Sequence, residues 1–179
     1  MKSIAAIAAG LCLLSNATLA QSASEKTGVN SALGITPKTE DFVKEAAISD
    51  MTEIAAAKIA LAKGNRDEKK FAEQMVTDHT KTSSELKALV TGGDVKAELP
   101  TALDNSSQRK VDKLNDTKAE DFASEYDPMQ VSAHKDAVSL FERYAKGGEN
   151  PKLKDWAGKT LPHLQHHLEM AQALDKNRK

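Results

Sequence analysis

The feature of this sequence that most limits its fold is a helical periodicity that continues from about residue 36 almost to the C-terminus. Apolar side chains recur every three or four residues in four long segments, which are separated by short runs rich in glycine, asparagine or proline. No alternating strand pattern interrupts the series. Because an apolar stripe on a helix is buried against other helices, the pattern predicts an all-α fold built as an antiparallel helical bundle.

Capping residues and glycines set the limits of the predicted helices, which we name A to D. They run from Thr36 or Thr39 to Lys63, from the Asn65–Glu68 capping box to about Thr91, from a second capping box at Thr117–Glu120 to Gly147, and from the Asn150-Pro151 cap nearly to the C-terminus. A shorter helix from about Asp104 to Asn115 is expected in the connection between B and C. The sequence therefore predicts a four-helix bundle domain over residues 37–177, with one short extra helix.

The N-terminal residues fall outside the predicted bundle. Residues 1–20 have the order of a secretory signal peptide, in which Lys2 is followed by an apolar run and by small residues up to Ala20. Residues 21–36 are rich in Ser, Gly, Asn and Thr, so we expect a flexible leader there. The apolar run is shorter than the roughly 20 residues that a membrane-spanning helix needs, and no transmembrane span is expected in the mature chain. We therefore expect an exported protein that is periplasmic, secreted or associated with the outer membrane.

The charge balance argues against a nucleic-acid partner. The sequence has 25 Lys and Arg residues against 26 Asp and Glu residues, a formal net charge of −1, and no long basic run. Binding to nucleic acid requires a concentrated basic surface that displaces counterions from the phosphates. The expected partner is therefore a protein or a small ligand.

Three of the five histidines fall on or beside the inward faces of different helices when each helix is advanced by about 100° per residue. They are His79 on helix B, His134 on helix C and His167 on helix D, and helix A adds Glu53. Helical bundles form metal sites from such inward side chains on facing helices. Because imidazole suits Zn, Fe or Cu, we predict that these four residues bind one transition-metal ion.

Three further residues are secondary candidates for the same site. Asp50 lies beside the inward face of helix A, Asp78 lies at the edge of the inward face of helix B, and His163 precedes His167 by one helical turn. The alternative is that each inward imidazole hydrogen-bonds a neighbouring side chain and only fixes the packing, without a metal.

The order of several short motifs resembles a known bacterial family. The motifs are Phe42, Ala46-Ala47 and Met51-Thr52-Glu53, then Phe71-Ala72 and Met75 to His79, then Leu99-Pro100, then Tyr126, Gln130 and His134, and finally Leu161-Pro162 and His167-Leu168. Over residues 38–175 they resemble the exported domain-of-unknown-function family numbered four-one-four-two, whose members are often labelled membrane or outer-membrane proteins. The resemblance implies a ferritin-like four-helix bundle and no established activity.

The candidate ligands match the motif positions of that family, and two other residues depart from its pattern. The matching positions are Glu53, Asp78, His79, His134 and His167, and the departures are Asp50 and Pro128. A ferritin-like di-iron centre also requires a glutamate three residues before each of two histidines. Here the residues in that position are Val76, Val131 and Leu164, so a standard di-iron centre is not expected.

These observations lead to one main hypothesis and two alternatives. The main hypothesis is an exported ferritin-like bundle that acts as a non-catalytic metal-binding or stress-related envelope protein. The first alternative is a metal-dependent oxidase or peroxide-handling enzyme with a histidine-rich centre. The second is a purely structural interaction module, which would bind no metal.

Overall fold

The computed structural model describes residues 29–178, and the secondary structure in this range is helical. The six α-helices are α1 (Val29–Ala32), α2 (Thr39–Lys63), α3 (Arg66–Thr91), α4 (Asn105–Asp116), α5 (Phe122–Gly147) and α6 (Pro151–Asn177), and a 3-10 turn spans Ala119–Asp121. The all-α prediction is confirmed for this range, as is the extra helix between B and C. The predicted signal peptide and residues 21–28 of the predicted leader lie outside the described residues.

The long helices form two hairpins that pack against each other. Helices α2 and α3 form one hairpin, and α5 and α6 form the other. The hairpins meet through contacts of α2 with α5 and of α3 with α6, while α4 packs on α2 and α5. Across the described part of the chain, no helix combines the length and the apolar character that crossing a bilayer requires.

Asparagine side chains cap the second helix of each hairpin, as predicted. Asn65 Oδ1 accepts hydrogen bonds from the backbone N–H groups of Asp67 and Glu68 at 2.8 and 3.1 Å, and Glu68 Oε2 accepts from the Asn65 N–H at 2.6 Å. Asn150 Oδ1 accepts from the Leu153 N–H at 3.0 Å. These bonds satisfy helix N–H groups that have no partner within the helix.

The second predicted capping box, Thr117–Glu120, does not form, and this prediction is wrong. The Thr117 hydroxyl donates to the carbonyl of Lys113 at 2.7 Å and so closes the last turn of α4 instead. A 3-10 turn follows, and α5 begins only at Phe122. A threonine hydroxyl can close the helix before it or cap the helix after it, and here the preceding helix binds it.

Residues 29–36, which the sequence assigned to the flexible leader, contact α5. Ser31 Oγ lies 2.6 Å from Ser139 Oγ, and Arg143 Nη1 donates to the carbonyl of Ile35 at 2.6 Å. The segment also contains the single turn of α1. These hydrogen bonds attach the start of the described chain to the second hairpin.

The core consists of two apolar clusters with a polar layer between them. The first cluster includes Phe42, Val43, Leu86, Phe141, Tyr144, Leu153 and Trp156, and the second includes Ala56, Ala60, Phe71, Met75, Phe122, Tyr126 and Ala171. Each long helix passes from one cluster to the other, and some of its buried polar residues lie between the two sets of apolar positions. The polar layer comprises Asp50 and Glu53 on α2, His79 on α3, Gln130 and His134 on α5, and His167 on α6.

Candidate metal centre

Three histidine side chains from three helices meet in the polar layer. One ring nitrogen from each of His79, His134 and His167 lies within 4.8 Å of the other two. The ring centroids are 5.5–5.8 Å apart, and each residue is at most 2 % exposed. Burying three imidazoles next to one another is unfavourable unless their polar atoms find partners. Each ring nitrogen is therefore expected to have a hydrogen-bond partner or a bound ligand.

One ring nitrogen of His79 and one ring nitrogen of His167 are each hydrogen-bonded to a carboxylate, and the two carboxylates belong to different residues. His79 Nδ1 lies 2.7 Å from Asp50 Oδ1, and His167 Nε2 lies 2.8 Å from Asp78 Oδ2. A carboxylate only accepts hydrogen bonds, so the proton of each neutral ring is on the nitrogen that faces the carboxylate. The opposite nitrogen of each ring then carries a free lone pair.

The third ring follows the same rule with a backbone acceptor. His134 Nδ1 donates to the carbonyl of Gln130 at 2.9 Å, one turn earlier on α5. Within the described residues, the remaining nitrogens, His79 Nε2, His134 Nε2 and His167 Nδ1, are buried without hydrogen-bond partners. Histidine ligands of metals characteristically donate their other ring N–H to a carboxylate or a carbonyl, and all three rings do so here.

Burial disfavours the charged form of all three imidazoles, and neighbouring charges decide the outcome for each. Burial lowers the pKa of His167 to about 4, helped by the nearby rings of His79 and His134 and opposed by the hydrogen bond to Asp78. Burial also lowers the pKa of His134. Burial pulls the pKa of His79 down as well, but the hydrogen bond and charge of Asp50 outweigh it and the pKa is raised above 6.5. Near neutral pH, His134 and His167 are thus in the neutral form that binds metals.

Among the described residues, α2 and α5 carry further buried polar groups near the histidines that have no hydrogen-bond partner. Glu53 is 2 % exposed, and its Oε2 has no hydrogen-bond partner among residues 29–178. The same is true of the Tyr126 hydroxyl and of both amide atoms of Gln130. Tyr126, Gln130 and His134 follow at intervals of four residues and so line one face of α5. Burial raises the pKa of Tyr126, and the charge of Glu53 raises it further. The same charge opposes the lowering of the His134 pKa, which indicates that the Glu53 carboxylate lies near both side chains.

A groove of about 700 Å³ opens beside the three histidines, between α3 and α6. His79 and His167 contribute to its lining, and so do Asp78 and the exposed His163. The groove connects solvent to two of the three rings. Its volume is in the range of sites that hold small molecules, and its lining includes two of the three histidines.

The candidate residues take four different positions in the structure. His79, His134 and His167 meet, while Asp50 and Asp78 hydrogen-bond two of the three rings. The carboxylate of Glu53 is not among the atoms that lie within 4.8 Å of one another. His163 lines the adjacent groove.

Sequence reasoning missed the side chains that hold the two carboxylates. Thr82 Oγ1 and Ser83 Oγ donate to Asp50 Oδ2 at 2.9 and 3.1 Å. Gln74 Nε2 donates to Asp78 Oδ2 at 2.6 Å. The signal available in the sequence was spacing, because Gln74 precedes Asp78 by one turn, and Thr82 and Ser83 follow the histidine of α3 by one turn.

Comparison with known proteins identifies the family of the chain. Neither the curated proteins nor the solved structures gave a match. The model of one protein family, described as "Domain of unknown function (DUF4142)", matches residues 8–174, which is nearly the whole sequence and includes all three histidines. The family suggested by the order of the motifs is therefore confirmed, and the chain belongs to the DUF4142 family.

Proposed function

We propose that this chain is an exported protein that binds one transition-metal ion through His79, His134 and His167. One observation carries the proposal. Each of the three rings uses one nitrogen in a hydrogen bond to a carboxylate or a carbonyl, and its other nitrogen is buried without a partner in the described part of the chain. A bound metal ion would satisfy all three free nitrogens at once.

The donor set indicates which ions to expect. Three imidazole nitrogens suit Zn, Fe or Cu, and they disfavour Mg or Ca, which prefer oxygen ligands. Three protein donors also leave one position of a tetrahedral ion open. We propose that Glu53 acts at this position through a bound water molecule. Its buried carboxylate lies near the rings but is not among the ligand atoms that lie within 4.8 Å of one another.

We further propose that the two hairpins form an antiparallel ferritin-like four-helix bundle. The pairing of α2 with α3 and of α5 with α6, and the contacts between the two hairpins, are compatible with that arrangement. The order of residues 1–20, which is typical of a secretory signal, supports export. Membership of the family adds no activity to the proposal, because the family is described only as a domain of unknown function.

Elemental analysis of the chain, purified without an affinity tag, tests the metal proposal. We expect about one equivalent of Zn, Fe or Cu per chain, and we expect His79→Gln and His134→Gln to lose most of it. The matched control is His166→Gln, because the His166 side chain is 68 % exposed. Equal metal content in the wild type and in both inward variants would contradict the proposal.

A metal-dependent oxidase or peroxide-handling enzyme is the second candidate function. The groove favours it, because solvent and small molecules would reach the open position of the metal from there. Redox turnover by the metal-loaded chain that is lost in His134→Gln would support this candidate. A chain that binds metal without turnover would support the non-catalytic function, and a chain without metal would support the structural module.

A further inference from the structure

The groove between α3 and α6 extends well beyond the histidines. On α3 its lining runs from Asp78 to Leu89, with Asp94 just after the helix, and on α6 it runs back from His167 to Lys152. His79 and Leu89 are ten residues apart, which corresponds to about 15 Å along a helix. One end of the groove is therefore lined by two of the proposed metal ligands, and the other end lies more than two helical turns away.

The part of the groove remote from the histidines has an apolar surface. Its lining there includes the indole of Trp156 and the side chains of Ala88 and Leu89. Leu164 continues the apolar lining towards the histidines. The volume of about 700 Å³ is in the range of sites that bind small organic molecules. This apolar part of the lining would bury the apolar or aromatic body of such a molecule.

The lysines around the groove are paired with carboxylates. Each of its three lysines lies within 4.0 Å of a carboxylate, namely Lys81 with Glu85 at 3.9 Å, Lys152 with Asp94 at 2.5 Å and Lys159 with Asp155 at 2.6 Å. A ligand with a phosphate or a second carboxylate on its body would therefore find no unpaired lysine in this lining. An uncharged body therefore fits this lining without displacing a charge pair.

We propose that this groove binds a small organic molecule with one metal-coordinating head and an uncharged apolar or aromatic body. The head replaces the water at the open position of the metal ion held by His79, His134 and His167, and the body packs against Trp156 and Leu89. The inference rests on the proposed metal-binding function, because the metal is the group that recognises the head.

Benzohydroxamate is a suitable probe for the purified, zinc-loaded chain, because it joins a chelating head to an aromatic body. Acetohydroxamate keeps the head without the ring, and benzamide keeps the ring without the chelating head. Trp156 is the only tryptophan in the sequence, so its fluorescence reports binding in this groove. We expect benzohydroxamate to bind at least about tenfold more tightly than either comparison compound. We also expect the metal-free chain to bind it at least about tenfold more weakly.

A matched pair of variants separates the groove from the metal centre. Ala88→Phe places a ring in the groove at an exposed position, and Ala173→Phe places the same ring at an exposed position of α6 outside the lining. We expect Ala88→Phe to weaken benzohydroxamate binding at least about tenfold with unchanged zinc content, and Ala173→Phe to change neither.

If zinc binds but Ala88→Phe and the ring of the probe make no difference, the groove inference fails and the metal proposal stands. If zinc does not bind, or if the probe removes it from the chain, the groove inference fails; the proposed function fails with it only if Fe and Cu do not bind either.

Discussion

His79 and Asp50 lie at the same level of the α2–α3 hairpin, with Nδ1 of the histidine 2.7 Å from Oδ1 of the aspartate. Asp50 is 14 residues before Gly64, and His79 is 14 residues after Asn65, so a hairpin that turns at Gly64-Asn65 puts them opposite each other. The carboxylate accepts the Nδ1 proton and leaves Nε2 free. The length of the two helices on either side of the turn thus sets the tautomer of a candidate metal ligand.

Asp50→Asn should weaken zinc binding while leaving the three imidazoles in place. The amide oxygen can still accept from His79, but the negative charge that makes the imidazole a better ligand is lost. Replacing such an outer partner typically reduces metal affinity by about 10- to 100-fold. Competition titration with a chromophoric chelator measures this change. Asp112→Asn, at an exposed position of α4, is the control and should leave the affinity unchanged; an equal loss in both variants would contradict the role given to Asp50.

Asp127 should make the chain less stable as the pH rises towards neutrality. Burial and the charges of Glu68 and Asp175 raise the pKa of Asp127 from 3.8 to about 7, and the charge of Arg178 opposes this rise. The folded state therefore binds more protons than the unfolded state between these two pH values. The free energy of unfolding contributed by this group falls as the pH rises through that window, and the full loss is present above pH 7.

Replacing Asp127 with Asn tests this pH dependence. Asn resembles the protonated carboxyl, so Asp127→Asn should change the urea midpoint little at pH 5 and raise it at pH 8. Asp121→Asn, at an exposed acidic position just before the same helix, is the control for the loss of one negative charge. A difference between Asp127→Asn and the wild type that is the same at both pH values would show that Asp127 does not titrate in this range.

The two asparagine caps should contribute more to stability than the threonine that fails to cap α5. Asn65→Ala and Asn150→Ala remove side-chain acceptors from helix N–H groups, so each should lower the free energy of unfolding by about 1 kcal/mol. Thr117→Ala removes only a hydroxyl bond at the exposed end of α4 and should cost less than about 0.5 kcal/mol. Urea denaturation measures all three, and a larger loss in Thr117→Ala than in Asn65→Ala would contradict this view of the helix ends.

The helices and the inward histidines were predictable from the sequence because both follow from local spacing. Asn65 and Asn150 are strong start signals, and the 3.6-residue period identifies the face that carries His79, His134 and His167. The period identifies the face of the helix on which a residue lies. It does not give the height along the helix axis at which that residue meets a neighbouring helix. It therefore did not distinguish Asp50, which contacts a ring, from Glu53, which lies one turn further along the same face. The height comes from the hairpin turn, which brings Asp50 opposite His79.

The most direct measurement of the central claim is the stabilisation that zinc gives to the wild type and to His79→Gln. A metal that binds only the folded state adds about 2.7 kcal/mol at a hundred times its dissociation constant. Chemical or thermal unfolding, with chelator and with zinc, should show this increment in the wild type and in the exposed control His166→Gln, and should show none in His79→Gln. If His79 only fixes the packing, the variant loses about 1–3 kcal/mol whether or not zinc is present. An equal zinc increment in the wild type and in His79→Gln would contradict the metal centre.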